Sequence, residues 1–297
     1  MFSKIRKLIQ GQLVVAIAVA CSVAQAASGS PEPLTGATKA YNHTDYKSAI
    51  DTLLAIPSQP PQVTLLLGKC YYMLGEFKKA SETFQAIVDV DPGNSEYNLW
   101  LARAYGRRAE SSSPLTAPSH AGKARQYFEK AVQLDPTNGE ALDDLFDYYL
   151  QAPGFLGGGL DKAAQLLPKI KAVDSAEFHF AQAQISEKKT EFATAEQQFR
   201  RAMELAPRQV GRVIDLAKFL FRRGKVQEGD DLIKQAGIIA PNDPKVTFEK
   251  AKSLISTKRD LDEAKRLLRV YMNSHLTPDL PSRQEAEKLL RRAGGGA

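Results

Sequence analysis

The chain has 297 residues, 40 lysines and arginines against 34 acids, and a formal net charge of +6. Lys4, Arg6 and Lys7 supply three of those charges in a start with no acid before residue 27, so +3 remains for the rest and no nucleic-acid role is implied. Four histidines and two cysteines are too few and too scattered for much site chemistry.

The N-terminus reads as an export signal. Residues 1–7 carry the basic start, and 13–20 form an apolar core too short to span a bilayer. Ala24-Gln25-Ala26 holds the small residues a signal peptidase accepts. That makes 1–26 a signal peptide and 27–33 a linker, and the mature chain is expected in the periplasm or secreted. A competing reading uses Ala18-Val19-Ala20-Cys21, which resembles a bacterial lipobox without its usual first Leu. Cys21 would then be lipidated, and the protein would be anchored to a membrane by that route alone. After ordinary cleavage only Cys70 remains, and its place on an apolar helix face marks a buried thiol.

A shortened helical hairpin over 34–60 comes first. Ala37, Ala40, Tyr46, Ala49, Leu53 and Ile56 carry its apolar faces, and Pro31 and Pro33 cut its first helix short. The clearest unit is 61–94. Leu67, Gly68, Tyr71 and Leu74 mark one amphipathic helix, and Ala80, Phe84, Ile87 and Val88 a second. Gly75 sits at the break, where the turn needs unusual backbone angles. Gly68 and Ala80 leave no bulk where the helices cross, and Pro92 ends the unit. Together with Phe77, these residues stand at the spacing of the tetratricopeptide repeat, and the chain resembles that family. The resemblance implies an all-α, right-handed superhelical solenoid of antiparallel helix pairs.

The pattern recurs. Unit 95–138 shows Leu101, Ala102 and Tyr105, then Ala124, Phe128, Ala131 and Pro136. Ala102 and Ala124 are 22 apart, against 12 for Gly68 and Ala80, which places an inserted loop over 110–123. Unit 139–175 carries Leu145, Phe146, Tyr149, Ala163, Leu167 and Ile170, with a second insertion over 152–159. Its Pro168 is expected to kink a helix. Units 176–209, 210–243 and a degenerate 244–277 follow. A capping helix over 282–293, opened by Ser282 and Glu285, closes the array before a tail at 294–297.

In this family the first helix of each pair lines a concave wall. By resemblance, the partner groove is Leu65, Lys69, Tyr72 and Met73; Leu99, Arg103 and Arg107; Asp143 and Asp147; Gln184; and Lys218 and Arg222. Leu150, Phe180, Glu187, Lys188, Ile214, Phe221 and Phe248 extend that map. Leu65, Tyr72, Met73 and Leu99 are the expected anchor patch, with Lys69, Arg103 and Arg107 beside it to attract acidic groups. Trp100 is expected at the rim. The Lys and Asn clamp of chaperone-binding members is absent, since Leu65, Leu99 and Asp143 stand where it would lie. The two insertions should lie side by side on one edge and offer a second binding face.

Site chemistry is weakly signalled. Gly157-Gly158-Gly159 lacks the preceding strand and the following Lys-Ser or Lys-Thr of a phosphate loop. His43, His120, His179 and His275 lie far apart along the chain. Asp143 and Asp147, with Asp144 between, leave a carboxylate site for acid–base work or a divalent ion as the less favoured alternative. The expected role is a non-catalytic scaffold or assembly factor of a bacterial envelope, with a protein or peptide partner and no cofactor.

Overall fold

The computed structural model describes residues 32–294. The expected signal peptide, Cys21, most of the linker and the last three residues lie outside that range. Fifteen α-helices follow one another, with no strand among the described residues. Paired in order they are α1 Glu32–Asn42 with α2 Tyr46–Leu54, α3 Pro61–Met73 with α4 Phe77–Val90, and α5 Ser95–Ser111 with α6 Ala117–Leu134. Next come α7 Gly139–Gln151 with α8 Leu160–Val173, α9 Ser175–Lys188 with α10 Phe192–Leu205, and α11 Val210–Arg222 with α12 Val226–Ile239. Helices α13 Pro244–Ser256 and α14 Leu261–Asn273 form the last pair, and α15 Arg283–Ala293 caps it. The first helix starts at Glu32, inside the stretch expected to be linker. Pro33 falls in its first turn, where a missing N–H costs no hydrogen bond.

Local chemistry explains the breaks. Asn94, Asn138, Asp174 and Asp243 each accept a backbone N–H at the start of a first helix. Within five pairs the turn holds a residue at positive φ: Thr44 at 59°, Gly75 at 78°, Thr190 at 62°, Gly224 at 74° and Lys258 at 53°, the last followed by Asp260 at 34°. In each, the following N–H returns to a carbonyl five positions earlier, as Glu76 does to Tyr71 at 2.9 Å and Lys225 to Leu220 at 2.9 Å. The repeat therefore conserves a backbone geometry that glycine meets without strain and that threonine and lysine also adopt.

The two insertions behave differently. The stretch expected as a loop over 110–123 is mostly helical, because α5 runs on to Ser111 and α6 begins at Ala117. Pro118 sits at the start of α6, where proline is tolerated. The second insertion is a compact turn, with a 3-10 segment Gly154–Leu156 and left-handed backbone at Gly157. A Cβ on Gly158 would meet the Ala152 carbonyl oxygen at 1.8 Å, so backbone passes close to backbone there. The Tyr148 hydroxyl lies 2.8 Å from the Leu156 carbonyl and 3.1 Å from that of Ala121, which draws the two insertions together. Pro168 lies inside α8, which continues through it to Val173.

Each pair packs on the next. Ala80, Ala124, Ala131, Ala163, Ala195, Ala236 and Ala264 are fully buried at the crossings. First helices also touch along the inner wall from α1 to α7 and again from α11 to α13, whereas α7, α9 and α11 stand further apart. The capping helix packs on α13 and α14, and the Ser282 hydroxyl accepts the Glu285 N–H at 3.2 Å. Its outer residues Arg283, Lys288, Arg291 and Arg292 are exposed.

Two glycines in neighbouring first helices have opposite surroundings. A Cβ on Gly68 would come within 2.4 Å of the Phe84 ring, while one on Gly106 would meet nothing within 4 Å. Gly68→Ala should therefore lower stability by about 1–3 kcal/mol through overpacking. Gly106→Ala should raise it by roughly 0.5–1 kcal/mol through helix propensity. Urea melts of the two variants check this, and equal effects of the same sign would contradict the packing.

Candidate functional site

The inner wall gathers most of the expected groove residues but turns some of them away. Leu65, Tyr72 and Met73 on α3 are half-buried. The Tyr72 ring meets Phe77 at 5.5 Å and Trp100 at 5.6 Å. Leu99 is not part of this patch: it is 2 % exposed and packs in the core. On α5 the face that reaches the wall is Glu96, Trp100, Arg103 and Arg107, at helical spacing, and Leu99 falls beside Ala102 on the buried side. Trp100 thus stands where Leu99 was expected, with Lys69 Nζ at 4.9 Å and the Arg103 guanidinium at 4.7 Å from its ring centre. Leu150, Ile214 and Phe248 are likewise buried. They are apolar and lie within reach of the inter-helix packing, so burial decides their side.

Charge along the wall is arranged as a ladder between successive first helices. Lys69 on α3 pairs with Glu96 on α5 at 2.8 Å. Arg103 on α5 pairs with Glu140 at 2.9 Å and with Asp144 on α7. Arg212 on α11 pairs with Glu177 on α9, and Arg222 forms a two-pronged pair with Glu187 at 2.8 Å for each bond. Arg107 pairs within its own helix, with Glu110. The cations expected to greet an acidic partner are therefore already matched inside the wall, which corrects that expectation.

The ladder breaks between α7 and α9. Asp143 and Asp147 have no cation within 4 Å among the described residues. Burial pushes the Asp143 carboxyl up to about 7, Glu177 adds to this, and Arg212 opposes it. Burial pushes Asp147 up to about 6, and Asp144 and Glu177 add their charge. Asp147 is exposed on the groove side, whereas Asp143 is half-buried. Lys188 on α9 donates to Gln151 at 3.0 Å rather than to a carboxylate.

Beside this gap lies a cavity of about 470 Å³ between α7, α9 and α11. Phe180, Gln184, Glu187, Lys188, Lys218 and Arg222 line it together with the largely buried Leu150, so the structure brings these seven expected residues together. Asp215 also lines the cavity, and Asp144 and Glu177 hold the flanking arginines of the wall; the groove map contained none of the three. Their signal was only an acid on the same helical stripe as a neighbour unit's arginine.

Other chemistries find less. Asp144 is held by Arg103, so the three aspartates do not converge, and no group of three or more His, Cys, Asp or Glu among the described residues suits a metal ion. Lys162 donates to the Gly157 carbonyl at 2.9 Å and braces the glycine turn. His43 and His275, far apart in the chain, come together with ring centres 4.8 Å apart. Cys70 is buried, and burial pushes its thiol up to about 12. No described helix is long and apolar enough to cross a membrane.

The raised carboxyls carry a stability signature. Both folded values lie above the ordinary carboxylate value of about 4, so the folded chain holds more protons than the unfolded chain between about pH 4 and 7. Stability from this source is full below about pH 4 and lost as pH rises through 6 and 7. Asp143→Asn with Asp147→Asn should melt at or above the parent temperature at pH 7.5, with a flatter profile from pH 4 to 7. A steeper profile in thermal melts would show that the two carboxylates are not desolvated.

A tetratricopeptide-repeat family model matches residues 120–138, which cover most of α6 and the turn after it. Anaphase-promoting complex subunit 3 of Dictyostelium discoideum is 42 % identical over 60 residues, or 19 % of this chain and 6 % of that protein. The chain thus spans only a small part of that relative's length. A tetratricopeptide repeat protein from Parabacteroides merdae superposes with a TM-score of 0.59 at 15 % identity, covering 89 % of this chain and 98 % of the other. A thermophilic TPR protein of Thermus thermophilus gives 0.52 at 21 % identity, over 63 % and 97 %. These likenesses are of fold. With the recurring turn, the small-residue crossings and the stacked pairs, they establish that the chain has the tetratricopeptide-repeat fold.

Proposed function

We propose that this protein is a non-catalytic scaffold or assembly factor that holds a partner protein or peptide in its concave groove. One observation carries the choice of partner: the break in the ion-pair ladder at Asp143 and Asp147. A lysine or arginine from a bound segment would supply the missing cation, and an adjacent apolar side chain would meet Phe180 in the neighbouring cavity. Tyr72, Met73 and Trp100 offer a second anchoring patch further along. The partner is thus a cationic protein segment, in place of the acidic one that the sequence suggested.

A second docking face has its own support. Leu115 and Phe155, on the two inserted turns, are 93 % and 82 % exposed. Large apolar side chains so open, on adjacent turns along one edge, suit a partner contact. Binding of a peptide library, read by fluorescence polarisation, separates the two faces. Peptides with a Lys or Arg beside a Leu or Phe should bind best, weaken with added salt, and lose about tenfold in affinity in Asp143→Asn with Asp147→Asn. Deleting 112–116 and shortening 152–159 should leave that binding unchanged. Equal binding of cationic and neutral peptides would sink the groove reading. Loss on loop deletion alone would move the site to the edge.

The proposed location is a bacterial envelope, by export through the N-terminal pattern, as a free periplasmic or secreted protein. A lipid-anchored form through Cys21 is the alternative. Mass spectrometry of the mature chain from an exporting bacterial host should find Ala27 first. A diacylated Cys21 would select the anchored form, and retention of Met1 would remove both.

A further inference from the structure

The two ends of the solenoid meet. Thr44, in the first turn, accepts a hydrogen bond from Arg283 Nη1 at 3.2 Å, across 239 positions of sequence. Beside it the His43 and His275 rings stand edge to face at 4.8 Å. We infer that the segment between α14 and α15 is a strap that closes the superhelix on itself and roofs the N-terminal end of the groove. This goes beyond the scaffold reading, and it holds or fails whatever binds at Asp143.

The strap is fastened unequally. On the C-terminal side Tyr271 is fully buried and its hydroxyl donates to the Pro281 carbonyl. Leu276 sits in the same apolar cluster as Phe248 and Leu289, and Leu280 packs against it. Arg283 Nε also donates to the Met272 carbonyl at 3.1 Å. On the N-terminal side the contacts named above are polar, exposed and few. No apolar cluster spans the seam: the core of α1 to α3 and the core of α13 to α15 are separate. A firmly held segment docked by a weak face is a closing device that can release without unfolding either end.

What the strap covers gives it a role. A cavity of about 570 Å³ lies under it, lined by Tyr46, Tyr72, Met73 and Phe77 from one end and by Leu280 and Pro281 from the other. Tyr72 and Met73 are the anchor residues of the N-terminal groove. A partner segment entering from the side reaches them when the seam parts. Any ligand that binds the parted form better shifts the population toward it.

Oxidation of the native methionines in the full chain, read by peptide mass spectrometry, tests the strap. Met73 lies under the seam, and Met203 on α10 is an internal reference away from it. Arg283→Ala with His275→Ala should oxidise Met73 several-fold faster, with Met203 and the helical circular dichroism unchanged. Thr44→Asp should do the reverse, because its carboxylate would pair with Arg283 and aspartate tolerates the left-handed backbone there. The Thr44→Asp arm decides alone if the double variant loses helix. Equal Met73 rates in the parent and in Thr44→Asp, or faster oxidation of Met73 in Thr44→Asp, would overturn the strap.

Discussion

The Phe84 ring fills the space that a side chain on residue 68 would need. That contact sets the spacing of α3 and α4, and the same device recurs where Phe221 faces Gly229. Elsewhere fully buried alanines play the same part at the crossings. Close crossing matters because one hairpin buries too little to stand alone. Each pair must present a regular surface to the next, and that surface exists only if the crossing geometry repeats. A regular stack accumulates a small rotation at every joint. After seven pairs the rotation has brought residue 283 back to residue 44. The seam is thus a distant consequence of local side-chain volume.

The inner wall obeys a second constraint. Concavity crowds the side chains of successive first helices and restricts their hydration, so charge there is costly unless matched. Lys69 with Glu96, Arg103 with Glu140 and Asp144, Arg212 with Glu177, and Arg222 with Glu187 are the matches. Half-buried pairs of this kind add little net stability compared with apolar packing. Their effect is on register, since a pair that bridges two units forms only when those units stack in the correct phase. The break at Asp143 and Asp147 stands out against this background. It falls where the first helices draw apart and a cavity with charged walls opens.

The fold was readable because its signals are local and repeated. Gly68, Ala80, Phe84 and Pro92 state a hairpin by themselves, and the fifth and sixth units restate it. The stretch 110–123 reads as a loop, because a proline such as Pro118 at a helix start looks like one in a loop. The groove was less readable. Leu99 and Trp100 are neighbours, and one helical step decides which of them faces the wall. Periodicity fixes a face to within about one such step, which suffices for a core but not for a binding surface. Lys69 and Arg103 lie on the wall, yet their partners Glu96 and Asp144 are 27 and 41 positions away. Whether Arg103 is open to a ligand or matched to Asp144 is a property of stacking, and stacking is absent from any single repeat. The contact between His43 and His275 lies furthest from sequence, because it depends on every joint between them.

Two opposed demands meet at Asp143. Stability alone favours a neutral side chain there, since a carboxyl pushed up to about 7 is strained by its surroundings at neutral pH. The joints from α3 to α5, α5 to α7 and α9 to α11 have each found a cation. A position that stays mismatched in an otherwise matched series is where a stacking rule has given way to another constraint. Binding supplies one such constraint: a carboxylate short of hydration and counter-charge gains more from an incoming cation than one already satisfied. The same desolvation that lowers the stability of the empty groove would therefore strengthen its hold on a cationic segment, and the two effects share a single cause in the curvature of the wall.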